Sequence, residues 1–425
     1  MITIREHRKI EPEKLQSLDF DKLKQRINYN TSCFDTSKIN LMRYEFDPTP
    51  AHPKDGFYSY FRIGAEWLDE AQTEALVVLP KIERIDFIDM FMTCLRASSP
   101  EDNFSAVYDI DLDARPVRSS LLNSILSPLL IVQYLMIVSH ICERGLRKGY
   151  VTREENLSKV RGRIDFRKNE IRNIRTAHKE RIYCRYDDYS VDTPENRYLK
   201  RALRIASAMI ALMTDHRCHP TLQALCNHCL STFTDVTDTF DEFTVNTRNN
   251  KLFREYDDAM RIARMIIRKE EMAVNSRRNA TSDIVPVFRI DMSLLFEHYV
   301  LAKLRDTFGQ NNIIYQARGS NCFIADFLIN TGNLKVIADA KYTEIYDTGA
   351  AKGDYVKQLC GYARDTRLLH LLNIDCTNPD AVPVVPCTLI YPELQPQTPV
   401  PFSLLRNPNK HTIKYFTTTV PIPLL

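Results

Sequence analysis

The sequence predicts a multidomain α+β protein: a β-rich N-terminal module, a mostly helical middle and a C-terminal α/β domain with a mixed sheet. Three observations lead there. Short alternating or apolar runs between polar connections fill roughly the first 115 residues. Apolar residues then recur at three- and four-residue spacing to about residue 274. Beyond about Ile284 the order becomes helix, three strands, helix, strand, the pattern of an α/β layer. The segments are 1–118, 119–284 and 285–425, with no internal repeat.

In the first segment Tyr58 to Ile63 alternates in polarity, and Ala75 to Leu79 is an apolar run ended by Pro80. Ser98 to Asn103 and Asp109 to Pro116 are polar enough to be loops. The helical pattern starts near Ser119 through Leu121, Ile125, Leu129 and Val132, and Gly145 and Gly149 punctuate its end. Further helices are expected over about 195–213, 221–233 and 250–274. In the third segment residues 293–308 and 354–369 read as helices. Residues 313–317, 323–329, 334–338 and 384–391 read as strands.

Composition narrows the function without naming it. The 425 residues are 44% hydrophobic and 26% charged, with net charge +3, which fits a globular protein and excludes a disordered or fibrous one. So weak a charge does not argue for nucleic-acid binding, although it can hide a local basic cleft. Eleven scattered cysteines and an N-terminus without an apolar core point to free thiols in a cytoplasmic protein. The most apolar run, Leu129 to Val138, is shorter than the about 20 residues of a membrane span and reads as a core helix; no membrane partner is expected.

The chemistry concentrates in the last segment. Val336-Ile-Ala-Asp-Ala-Lys-Tyr342 is an apolar strand ending in Asp339-Ala340-Lys341. Residues two apart on a strand share a face, so Asp339 and Lys341 project together. Upstream, Asp326 interrupts the apolar run Phe323 to Ile329, and a buried carboxylate needs a partner or a metal. The turn Asn330-Thr-Gly-Asn333 makes a hairpin that can bring Asp326 beside Asp339. Two adjacent carboxylates repel, and a divalent cation relieves that repulsion. An all-oxygen donor set suits Mg²⁺, with Asp326 and Asp339 as its ligands. Such an ion would polarise a phosphodiester, while Lys341 could hold or help deprotonate an attacking water. Glu297 lies on the preceding helix in an apolar setting. Gln358 and Tyr362, four apart, share a helical face from which both could bond phosphate or a bound water.

Glu297, Asp326, Asp339-Ala340-Lys341 and Gln358 to Tyr362 together resemble the PD-(D/E)XK nuclease superfamily, whose RecB-like members add a Q-x-x-x-Y helix. Ala325 stands where the proline before the first aspartate is usual. A wider resemblance, to the McrC family, is carried by Ala65-Glu-Trp-Leu68, Val77-Val-Leu-Pro-Lys-Ile82, Gly145-Leu-Arg-Lys-Gly-Tyr150, Leu157 to Phe166, Cys184 to Asp188 and Asp192 to Arg197. That resemblance implies the nuclease subunit of a two-component restriction system. Its partner would be an McrB-like AAA+ GTPase hexamer, which binds the GTP and whose hydrolysis this subunit stimulates. Its substrate would be double-stranded DNA, with modified cytosine common among relatives. The chain has no G-x-x-x-x-G-K-[ST] loop of its own. The N-terminal module is then the docking module, its polar loops suited to a ring pore.

Arg161, Arg163, Arg185 and Arg197 invite a reading as phosphate contacts. The acids interleaved with them, Asp165, Asp187, Asp192 and Glu195, favour bracing. His216, Cys218, His219, Cys226, His228 and Cys229 place six zinc-capable side chains in 14 residues. Residues 222–233, however, read as a helix whose cysteines are simply buried. Two other functions stay open: a non-catalytic assembly or DNA-binding subunit, and a nuclease of the same fold that works without a motor. Filled positions at Asp326, Asp339 and Lys341 argue against the first. The long upstream regions argue against the second.

Overall fold

The computed structural model describes residues 1–29, 38–47, 54–97, 99, 102, 104–111, 114–119, 123–212, 219–238, 254–278, 284–320, 323–343, 353–394 and 402–424. They group into two compact units, Met1–Leu129 with Ala280–Leu425, and Leu130–Asn279.

The first unit holds two main sheets. In the N-terminal one the strands lie in the order Ile2–Arg5, Ala75–Leu79, Arg62–Trp67, Val287–Asp291, Tyr108–Asp111. The alternation read at Tyr58 to Ile63 is divided between two strands, Lys54–Ser59 and Arg62–Trp67, which break at Tyr60-Phe61. Residues 287–291, which carry no alternation because all five are buried, insert between strands of the N-terminal segment. Gly64 permits the close pairing there: its φ is +140°, and a Cβ would lie 2.0 Å from the Phe288 carbonyl oxygen. Glu66 ties this sheet to the chain before it. Its buried carboxylate accepts from the backbone N–H groups of Asn40 and Leu41 and from Arg289 Nε. Arg289 in turn pairs with Asp109 at 3.0 Å.

The second sheet is mixed and six-stranded, in the order Ile313–Arg318, Ile324–Asn330, Lys335–Ala340, Cys387–Glu393, Tyr415–Pro421, Asn407–Pro408. The first two pairings are antiparallel, the next two parallel and the last antiparallel. The helix Met292–Phe308 begins on an Asp291 cap, whose side chain accepts from the Leu294 N–H at 3.0 Å. The helix expected over 354–369 is two helices, Gly353–Tyr362 and Thr366–Leu371. Asp365 separates them because its carboxylate caps the second, at 3.0 Å from the Leu368 N–H, and also accepts from the Ser320 N–H. Leu359 and Tyr362 of the first helix pack with Ala325, Leu328, Ile337 and Leu389 of the sheet. Ile337 shares a strand face with Asp339, so this packing lays the helix over the aspartate face.

The second unit is not helical throughout. Gly149–Leu157, Ile182–Ser190 and Arg163–Ile164 form a three-stranded sheet, which the sequence hid because charged residues occupy both faces. The helices Pro194–Ala211, His219–Thr232 and Arg254–Arg278 complete the unit. Thr193 caps the first helix and Pro194 opens it. Arg197 clasps Asp192 through two 2.8 Å bonds, and Arg161 pairs with Asp188 at 2.8 Å. Those two arginines therefore brace. Arg163 and Arg185 make no ion pair among the described residues. Cys226 and Cys229 are fully buried in their helix, with Cys226 Sγ 3.8 Å from the Leu203 carbonyl oxygen. His216 and Cys218 lie outside the described residues. The apolar run at Leu129 to Val138 belongs to a longer helix, Asn123–Arg144. Its stretch Ile125–Arg144 is mostly buried, yet long and apolar enough to cross a membrane by length and composition alone.

Candidate active site

Strand register assembles the centre. The pairing of Phe327 with Ala338 sets Asp326 level with Asp339 on neighbouring strands. Asp326 Oδ2 accepts the Ala340 N–H at 2.9 Å, a ladder donor diverted to a side chain. Lys341 Nζ lies 2.5 Å from Asp339 Oδ2, and Asp339 is 1% exposed on its side chain. These three residues, read from the sequence as metal ligands and lysine, therefore stand together.

Their electrostatics reflect confinement. Burial, followed by the nearby Glu297 and Asp339 charges, pushes the Asp326 carboxyl well above the usual carboxylate range. Burial also raises Asp339, in spite of Lys341. Burial alone would lower Lys341, but Asp339 and Asp326 outweigh it and hold the ammonium above its ordinary value. The site thus stores like-charge repulsion that a single lysine offsets in part.

Glu297 comes from the helix Met292–Phe308 and is half-buried. Burial raises its carboxyl, hydrogen bonds from Gln316 and Tyr315 lower it, and Asp339 raises it again. Among the described residues no group of three or more His, Cys, Asp or Glu side chains gathers closely enough to hold a metal ion, so Glu297 borders the aspartate pair and does not complete a three-acid cradle. Gln358 Nε2 donates to Tyr362 Oη at 2.6 Å, which joins the two expected helix residues. Tyr362 is buried while Gln358 is exposed. Phe323 packs edge-on against the Tyr362 ring.

Three neighbours escaped the sequence reading. Gln316 Nε2 donates to Glu297 Oε1 at 3.2 Å and stands opposite Asp326 in the strand register. Its φ is +48°, a left-handed conformation that a strand glutamine rarely adopts. Nothing in the local sequence announces that. Tyr315, the second partner of Glu297, carried no signal beyond an aromatic in a strand. Tyr355 was findable: it lies three before Gln358 on the same helical face, and its ring centroid is 5.1 Å from Lys341 Nζ.

Comparison with known proteins adds the family. Solved structures similar to the chain include two McrBC assemblies. One, described as a refined half-complex from a tetradecameric assembly of Thermococcus gammatolerans McrB AAA+ hexamers with bound McrC, has 16% identity and TM-score 0.41, covering 99% of this chain and 94% of the other. The second, a Thermococcus gammatolerans McrBC complex, has 15% identity and TM-score 0.31, covering 71% and 86%. No curated protein matches. Residues 70–363, more than half of the chain and a span that takes in Glu297, Asp326, Asp339, Lys341, Gln358 and Tyr362, match the family described as McrBC 5-methylcytosine restriction system component, and the chain belongs to that family.

Proposed function

We propose that this family member is a Mg²⁺-dependent DNA endonuclease of the PD-(D/E)XK type, the cutting subunit of a two-component restriction system acting on foreign DNA with modified cytosine. The observation that carries the reading is the Asp326–Asp339 pair, level on adjacent strands, with Lys341 against Asp339. Two confined carboxylates with one lysine beside them are a costly arrangement for a merely structural site. They form the all-oxygen donor set that Mg²⁺ accepts while keeping several waters. Asp326 and Asp339 would hold the ion. When bound, it would polarise the scissile phosphodiester and acidify a water.

The other groups position and neutralise. Lys341, kept charged by its acidic neighbours, can orient the attacking water and offset charge developing on the phosphate. Glu297, fixed by Gln316, presents a carboxylate at the edge of the centre for the proton of that water. Gln358 and Tyr362 offer donors to phosphate oxygens from the overlying helix. The partner is an McrB-like AAA+ GTPase hexamer that carries the GTP; family membership and the missing phosphate-binding loop in this chain support that division. Residues 1–118, completed by the inserted strand Val287–Asp291, are proposed as the docking module, 119–284 as a connecting region and the rest of 285–425 as the nuclease domain, in a cytoplasmic protein.

The test is cleavage of methylated and unmethylated plasmid by the chain with its AAA+ partner, Mg²⁺ and GTP. Wild type should cut; Asp339→Ala and Lys341→Ala should assemble and remain inert. Equal cutting by all three would remove these residues from the active site. Inertness of all three would leave an assembly subunit, and cutting without partner or GTP a motor-independent nuclease.

A further inference from the structure

The string Val77-Val-Leu-Pro-Lys-Ile82 belongs to the N-terminal sheet and its following turn, yet its lysine ends beside the candidate active site. The Lys81 ammonium donates to the backbone carbonyl of Tyr342, the residue after Lys341. It also lies 3.9 Å from the centroid of the Tyr342 ring. The other end of Lys81 is equally fixed: its backbone N–H donates to Glu6 Oε2 at 2.9 Å, and Glu6 is 2% exposed at the end of the strand Ile2–Arg5.

The contact falls where the sheet stops supporting the chain. Lys341 is still in the ladder, its N–H donating to the Ile390 carbonyl at 2.9 Å. Its own carbonyl accepts from the Thr343 N–H at 2.8 Å, which closes a tight turn. The Tyr342 carbonyl lies inside that turn, beyond the last strand pairing, and Lys81 gives it a charge-assisted donor. The Tyr342 ring is buried and packs against Phe296, the residue before Glu297. Lys81 thus fixes the Tyr342–Thr343 peptide just past Lys341, while the ladder bond from the Lys341 N–H fixes the chain on its other side, and the two together set the direction in which the Lys341 side chain leaves the backbone. That side chain must turn back two residues to meet Asp339.

We propose that Lys81 is a positioning residue for Lys341: it anchors the strand end from the N-terminal sheet and so holds the lysine on the aspartate pair. This rests on the reading of Asp326, Asp339 and Lys341 as the nuclease centre. It also gives the N-terminal module a direct mechanical hold on that centre through the Lys81 side chain.

The experiment is single-turnover cleavage of methylated plasmid by the full chain with its AAA+ partner, Mg²⁺ and GTP. It compares wild type, Lys81→Met, Lys81→Arg and Asp339→Ala. Lys81→Met keeps the aliphatic stem and loses the ammonium. Its rate constant should fall by about 10- to 100-fold, with reaction amplitude and DNA half-saturation unchanged, because a misplaced catalytic group slows the step in every molecule. Lys81→Arg should recover to within about threefold of wild type, since it restores charge and donor. An unchanged rate constant with a reduced amplitude would mean that Lys81 only stabilises the fold, and would overturn the proposal. So would wild-type cutting by Lys81→Met while Asp339→Ala is inert; the active-site reading would then survive alone. Cutting by Asp339→Ala would overturn that reading and this inference with it.

Discussion

Replacing Asp326 by asparagine should strengthen the fold while it removes activity. Asparagine keeps the shape and an oxygen able to accept the Ala340 N–H that now bonds Asp326 at 2.9 Å. It removes the charge that burial, Glu297 and Asp339 all disfavour. Cross-strand neighbours bring two carboxylates to about 4 Å, where unit charges repel by about 4 kcal/mol at an effective dielectric constant near 20. Attraction from Lys341 and partial solvent access cancel part of this. The expected gain in unfolding free energy at pH 8 is therefore about 1–3 kcal/mol. The pH dependence follows from direction. The folded state binds a proton at Asp326 more tightly than the unfolded chain does. Wild-type stability should therefore fall, relative to the variant, as pH rises from about 4 towards the elevated value, and the two should converge in acid. Urea denaturation at several pH values measures this. Mg²⁺ supplies a second reading: at ten times its dissociation constant it should stabilise wild type by about 1.4 kcal/mol and leave Asp326→Asn unmoved. A variant less stable than wild type at pH 8, together with no Mg²⁺ effect on wild type, would show that the carboxylate is a structural cap and refute the reasoning.

Other perturbations test the surrounding frame. Gln316→Gly should relieve the left-handed strain, raising stability by about 1 kcal/mol, and yet slow cleavage roughly tenfold through loss of the hold on Glu297; wild-type cleavage by that variant would take Gln316 out of the site. Burial between the Phe104 and Tyr315 rings lowers His298 from 6.5 to about 4. The unfolded chain thus gains its proton first, and stability should drop by on the order of 3 kcal/mol between pH 6.5 and 4. His298→Phe should flatten that slope, and an unaltered slope would place the acid sensitivity elsewhere. Gly64→Ala drives a methyl to 2.0 Å from the Phe288 carbonyl oxygen, and the cost should exceed about 3 kcal/mol in denaturant unfolding. A loss below about 1 kcal/mol would mean that the two strands separate more easily than their pairing suggests.

The parts of the site legible in the sequence are those fixed by local geometry. A two-residue strand period placed Asp339 with Lys341, a short hairpin placed Asp326 beside them, and a four-residue helical spacing joined Gln358 to Tyr362. The same geometry makes Tyr355 readable in retrospect. Gln316 was not readable, because its backbone angle answers to packing around Glu297 and to nothing in its own neighbours. Fold features were lost for two further reasons. The strand Val287–Asp291 finds partners some 180 to 230 residues away, beyond the reach of any local pattern. The strands Gly149–Leu157 and Ile182–Ser190 alternate in exposure, but their more buried face carries Arg153, Glu155 and Asp188, so no apolar period-two pattern marks them in the sequence.

That late strand sets a schedule for biosynthesis. Val287–Asp291 lies between Arg62–Trp67 and Tyr108–Asp111, and Asp291 then caps the helix that bears Glu297. A ribosome must deliver more than two thirds of the polypeptide before the N-terminal sheet receives its inner member. Until then two strand edges stand open, the condition under which nascent chains mispair or recruit holdases. A truncation at residue 118 produces the same unfinished state permanently. The N-terminal sheet is thus completed only as the helix that bears Glu297 leaves the exit tunnel, so the two elements reach their folded form together.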